Sequence, residues 1–192
     1  MRSLFPDNAY GLDSGGDPKK IPDLTFEQFM EFHKTYYHPA NSRIFFYGDD
    51  DPERRLLILN EYLDDFDKTD IYSKIILQKS LEKPLRIIRS FDSGSENRKN
   101  LKGMFTLNWL LPESTDCELN FAMHLLEYIL LGMPGSPLRK TLIESNLGED
   151  LAGVGLESEL RQMYFSTGLK GIDLDNVDRL QNLIIQIGRA HV

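Results

Sequence analysis

The sequence predicts an α+β fold, with helices packed on a mixed or antiparallel sheet. Three observations lead there. Capped stretches of helical period are interleaved with short runs rich in aromatic and β-branched residues. The later runs come as hairpin-like pairs with no helix between them, which disfavours a doubly wound parallel sheet. The composition, 41% hydrophobic and 27% charged over 192 residues, supplies apolar material for a core and lies well away from the disordered class.

The elements follow in order. Pro6, Gly11, Gly15, Gly16, Pro18 and Pro22 make the opening segment a loop. A helix is predicted from Phe26 to about Tyr36: Thr25 and Gln28 have the spacing of a capping box, Leu24 and Phe29 that of a hydrophobic staple, and His38-Pro39 stops it. Arg43 to Tyr47 reads as a strand closed by Gly48. Asp51-Pro52-Glu53 is a strong helix start, with Leu56, Leu59, Leu63 and Phe66 as the apolar stripe. Residues 67–84 turn polar and lose periodicity, as a linker does. Strands are predicted at Leu85 to Phe91 and Lys102 to Leu110, around a polar loop from Asp92 to Asn100. Thr115 and Glu118 suggest a second capping box, opening a buried helix that runs to about Leu131 and ends at Gly132. A shorter helix follows from Ser136-Pro137 to about Asn146, then a strand pair at Leu151 to Glu157 and Gln162 to Leu169. A last helix begins after Asp175.

Charge and cysteine usage narrow the function. A net charge of −8 argues against general nucleic-acid binding, which depends on basic patches that release counterions from phosphates. An acidic balance suits a protein that handles basic peptides. The single cysteine, Cys117, excludes an intrachain disulfide framework and a multi-cysteine metal site; in the first turn of a buried helix it reads as a packed thiol. No apolar stretch is long enough to span a bilayer, so no membrane partner is expected. The first residues, Met1 to Pro6, carry neither the apolar core of a secretory signal nor the length of a transit peptide.

Three stretches carry a family likeness: Phe5-Pro6-Asp7-Asn8-Ala9-Tyr10-Gly11 running into Asp13-Ser14-Gly15-Gly16-Asp17-Pro18; Phe32 to Arg43, closed by Tyr47-Gly48-Asp49; and Leu138 to Gly148, followed by Tyr164 to Gly171. In this order they resemble the pitrilysin-type zinc metallopeptidases, in particular the presequence-protease branch, from Leu4 to about Gln186. The resemblance implies four homologous α+β domains that close around short unstructured peptides, including cleaved presequences, in the mitochondrial matrix or plastid. It also implies a zinc-binding H-x-x-E-H helix, two His ligands and a Glu base, upstream of the stretch matched here. The chain is therefore expected to be an internal fragment: residues 1–66 from the end of the first, catalytic domain, 67–84 a linker, and 85–186 the start of a second, degenerate domain. Zinc is expected in the parent protein and none on this fragment, which should be inactive. The alternative is a non-catalytic, core-subunit-like member that only binds or assembles, and an intact or broken upstream motif decides between them.

No residue is assigned a catalytic, cofactor or metal role. His33 and His38 straddle a helix end with no Glu placed as a base, and read as a half-exposed ring and a turn residue. His124-Leu125-Leu126-Glu127-Tyr128 has the spacing of H-x-x-E-H with Tyr128 replacing the second His, which reads as a relic of the zinc helix with His124 in the core. Asp49-Asp50-Asp51 lacks the spaced ligands of a calcium loop and reads as a solvated turn with Asp51 as a cap. Ser14 to Pro18 lacks the Gly-Lys-Ser/Thr ending of a phosphate loop and reads as a surface loop. Ile187 to Val192 departs from the family pattern. With a CAG codon for Gln186, it can be encoded by the start of a common sequencing adapter, so residues 187–192 are expected to be an artefact of a truncated transcript.

Overall fold

The computed structural model describes residues 1–92 and 102–190. The predicted loop after Asp92 and the last two residues of the predicted artefact lie outside them. The chain forms two compact units, residues 12–76 and residues 1–11 with 77–192.

The unit of residues 12–76 is helical. Helix α1 (Phe26–Tyr36) starts at the predicted capping box: Gln28 N–H donates to Thr25 Oγ1 at 3.2 Å, and Thr25 N–H to Gln28 Oε1 at 3.0 Å. Helix α2 (Pro52–Leu63) has Pro52 at its first position and Asp51 as cap, accepting from Glu53 N–H at 2.9 Å. The helix stops short of Phe66, which instead meets the ring of His38 edge-on. No residue of this unit is buried, and Phe29, Phe32, Phe45, Tyr47 and Leu57 stand exposed. The predicted strand at Arg43 to Tyr47 does not form. No described segment pairs with it, and an isolated strand leaves its N–H and C=O groups without a ladder.

The second unit is a three-stranded antiparallel sheet with helices, confirming the α+β class. Its elements are β1 (Lys102–Glu113), α3 (Cys117–Glu127), α4 (Pro137–Glu144), β2 (Asp150–Glu157), β3 (Gln162–Asp173) and α5 (Val177–Ala190). The sheet order is β1-β3-β2, so β3 is central and is buried from Gln162 to Leu169. Leu85 to Phe91, predicted as a strand, stays outside the sheet for want of a paired neighbour.

Register explains which side chains reach the core. Phe105, Leu107 and Leu111 of β1 and Phe165 and Leu169 of β3 share one face by the two-residue period of strands. On β3 the core then takes Ile172 instead of the next odd position, because Gly171, at φ +68°, is the extra residue of a bulge opposite Gly103 and Met104. A second bulge between Ala152 and Gly155 does the same on β2, letting both Leu151 and Leu156 face inward. Gly153 is required there: its φ is +93°, and a Cβ would stand 2.5 Å from the carbonyl oxygen of Ser166.

Against this face pack Leu138 and Leu142 of α4, and Leu180, Ile184 and Ile187 of α5. The α5 residues fall at i, i+4 and i+7, one stripe of a helix. On the opposite face Tyr164 meets Leu4 and Phe5 in a smaller cluster. Burial, with Glu157 alongside, raises the Tyr164 phenol above its ordinary pKa of 10.0.

Candidate functional site

The helix carrying the H-x-x-E-Y spacing is α3. Its cap is Asp116, whose carboxylate accepts from Leu119 N–H at 3.0 Å, so the predicted Thr115 box does not form. One residue nearer the helix, Asp116 offers a charged acceptor to the helix N-terminus, which a hydroxyl matches only weakly. The last turn widens into a π-helical stretch, Tyr128–Gly132. Ser136, almost wholly buried, locks this end: its hydroxyl accepts from Met133 N–H at 3.0 Å and donates to the Tyr128 carbonyl at 3.3 Å. The sequence marked Ser136 only as a helix start. Its backward bonds depend on the π turn, which no local pattern announces.

His124 and Glu127, three apart, both face the β2 hairpin. His124 Nε2 and Ser158 Oγ lie 2.9 Å apart in a hydrogen bond. Glu127 sets its carboxylate beside Gly155, where a Cβ would stand 2.6 Å from Oε1. Tyr128 is exposed and lays its ring over the Cα of Gly132. His124 is not a core residue, correcting the sequence reading. Helix α3 has no buried residue, because only the side toward β2 is covered. Cys117 is exposed for the same reason, with Sγ 3.8 Å from the Thr115 carbonyl, so it is not the packed thiol expected of a buried helix.

These residues do not fit zinc. Tetrahedral sites take imidazole, thiolate or carboxylate donors, and here the position of the second imidazole holds a phenol stacked on its own helix. No group of three His, Cys, Asp or Glu side chains placed to hold a metal occurs among the described residues. No step through a metal follows from this helix.

The remaining candidates lie apart from it in sequence and role. His33 is exposed and stacks on Tyr37, centroids 4.6 Å apart. His38 Nδ1 accepts from Ala40 N–H at 3.1 Å and caps the short turn at Pro39, as a turn residue should. In the acidic run Asp51 caps α2, while Asp50 is paired with Arg55, whose hydrogen bond holds its carboxyl below the ordinary range. Ser14 to Pro18 is a turn in which Asp13 Oδ1 accepts from Gly15 N–H at 3.1 Å, with Gly16 at φ +80°. A groove between α4 and α5, lined by Thr141, Glu144, Ser145, Asp178, Arg179 and Asn182, mixes both signs of charge.

The antiparallel sheet with two helices on one face and a histidine–glutamate helix against its edge can be compared with known proteins. The profile of the family described as "Peptidase M16 inactive domain" matches residues 23–190. The chain belongs to the M16 peptidase family. Among its relatives, presequence protease 1, chloroplastic/mitochondrial, of Arabidopsis thaliana is 49% identical over 188 residues, 96% of this chain and 17% of the plant protein. The mitochondrial presequence protease of Mus musculus is 39% identical over 96% of this chain and 18% of its own length. Protein HypA of Clostridium perfringens is 36% identical over 96% of this chain and 19% of its own length. This M16 chain thus spans less than a fifth of each of these relatives.

Proposed function

We propose that this chain is a non-catalytic structural portion of a zinc metalloendopeptidase that degrades cleaved presequences and other short unstructured peptides. One observation carries the reading for the fragment. The helix with the metallopeptidase spacing holds Tyr128 where a second imidazole would stand, and its His124 and Glu127 side chains are turned to the β2 hairpin. The inactive-domain family and the relatives' names support the wider reading and a mitochondrial or chloroplast setting, within which the mitochondrial matrix or plastid is the compartment of this proposal.

In this reading the domain limits are 1–66, a linker at 67–84, and 85–186, with 187–192 an artefact of the transcript. The junction of the compact units between Ile76 and Leu77 falls inside that linker and supports it. The exposed apolar residues of residues 12–76 are wall surface that the rest of the parent covers, since a unit without one buried residue has no core of its own. Among the described residues no helix is long and apolar enough to cross a membrane.

The test compares the purified chain with the protein from a full-length transcript, each given an unstructured presequence peptide with and without zinc. The longer protein should cleave in a chelator-sensitive way and the chain should not. Chelator-sensitive cleavage by the chain alone overturns its structural assignment. Failure of the longer protein overturns the peptidase assignment.

A further inference from the structure

The residues that open the chain belong to the sheet unit. Phe5 is 0% exposed. Its ring meets Tyr10 edge-on at 5.4 Å and Tyr164 at 6.0 Å, and Leu4, Leu110 and Leu160 complete the notch. Hydrogen bonds continue the seat on either side. Asp7 N–H donates to Gln78 Oε1 at 3.0 Å, and Gln78 Nε2 donates back to Asp7 Oδ2 at 2.6 Å. Gln78 N–H donates to Gln162 Oε1 at 2.8 Å, and Gln162 Nε2 to the Gln78 carbonyl at 3.2 Å. The Tyr10 hydroxyl accepts from Arg161 N–H at 2.8 Å, while the Arg161 guanidinium reaches Glu113 at 2.6 Å.

Gln162 and Tyr164 share the strand face turned away from Phe165 and the α4–α5 core. The seat of Phe5 is therefore on the other side of the sheet from the main core. The ladder Asp7–Gln78–Gln162 links positions 71 and 84 residues apart in sequence. Residues 12–76 leave the sheet unit after Gly11 and rejoin it at Leu77, so the same ladder holds the chain on both sides of them. Gly11 turns the chain here: a Cβ on it would run into the Phe5 carbonyl oxygen.

We propose that residues 1–11 are a separable strap: Phe5 plugs a notch on the sheet face turned away from the main core, the Asp7–Gln78–Gln162 ladder latches it, and it releases while the α4–α5 core stays folded. A latch of this kind is a local opening unit, distinct from global unfolding. Its hydrogen bonds involve a carboxylate and buried amides, so a lost partner leaves a costly orphan.

Peptide-resolved hydrogen exchange on the full 192-residue chain tests it. Asp7→Ala should speed exchange of the amides of Asp7 and Gln78 about tenfold, the scale of one lost charge-assisted hydrogen bond, with α4 and α5 unchanged. Asp7→Asn keeps an acceptor for Gln78 Nε2 and should restore most of the protection. Tyr10→Phe should accelerate only the peptide containing Arg161, and it keeps the test open if Asp7→Ala folds poorly. Unchanged exchange at Gln78 in Asp7→Ala overturns the latch. Acceleration that spreads equally to Leu142 and Leu180 overturns the separable strap, as does Asp7→Asn behaving like Asp7→Ala.

Discussion

Leu180→Ala removes three carbons' worth of contact at the centre of the α4–α5–β3 core, where Leu180 is 0% exposed in one cluster with Leu142 and Ile184. Leucine-to-alanine changes at such sites cost about 2–5 kcal/mol, the upper end where the cavity cannot collapse. Bounded by sheet on one side and α4 on the other, this site has little room to relax. With a urea slope of about 1–3 kcal/mol per molar for a unit of this size, the midpoint should fall by roughly 1–3 M. Trp109, the single tryptophan, reports on this unit because its ring lies 5.9 Å from Phe165 on the core face. The matched control is Leu57→Ala on α2, exposed to 72%, which should shift the same transition by less than about 0.5 kcal/mol. Equal shifts from both variants, or none from Leu180→Ala, would refute the placement of the core in the sheet unit alone.

Other outcomes follow from the same structure. Limited trypsin digestion should cut first at Lys68 and Lys74, which are exposed and outside any element, well before Lys170 in the doubly paired strand β3; mass spectrometry of the first fragments checks this, and early cleavage after Lys170 would contradict it. Asp50 and Asp150 have carboxyls held below their ordinary value by hydrogen bonds from Arg55 and Lys170 respectively. Depressed folded pKa values stabilise above the unfolded value of 3.8 and the contribution is lost as pH falls through the folded ones, so Arg55→Ala should raise the Asp50 titration midpoint toward 3.8 in carboxyl NMR. Asp116→Ala should destabilise the sheet unit by about 1 kcal/mol in the Trp109 assay, the usual value of a helix cap, whereas Thr115→Ala should have little effect. Genomic sequence past the Gln186 codon should continue an amphipathic helix without Ile-Gly-Arg-Ala-His-Val, and finding those codons in the genome ends the artefact reading.

Local chemistry was legible in the sequence. The box at Thr25 and Gln28, the cap at Asp51 with Pro52, the turn at His38-Pro39 and the hairpin of β2 and β3 all formed where their residues indicated, because each depends on side chains within a few positions of one another. The family was legible too, through motifs long enough to be specific. What a segment meets across the fold was not. Arg43 to Tyr47 and Leu85 to Phe91 have the composition of strands yet pair with nothing described, since a strand is completed only by a neighbour. His124 and Cys117 looked interior because their helix is apolar, and they are exposed because only one side of α3 is covered. The bulges that return Leu156 and Ile172 to the core, and the capture of Phe5 by Tyr164 across more than 150 residues of chain, depend on register and topology. A sequence sets which bonds its neighbours can make; which distant surfaces exclude water together is decided when the sheet closes.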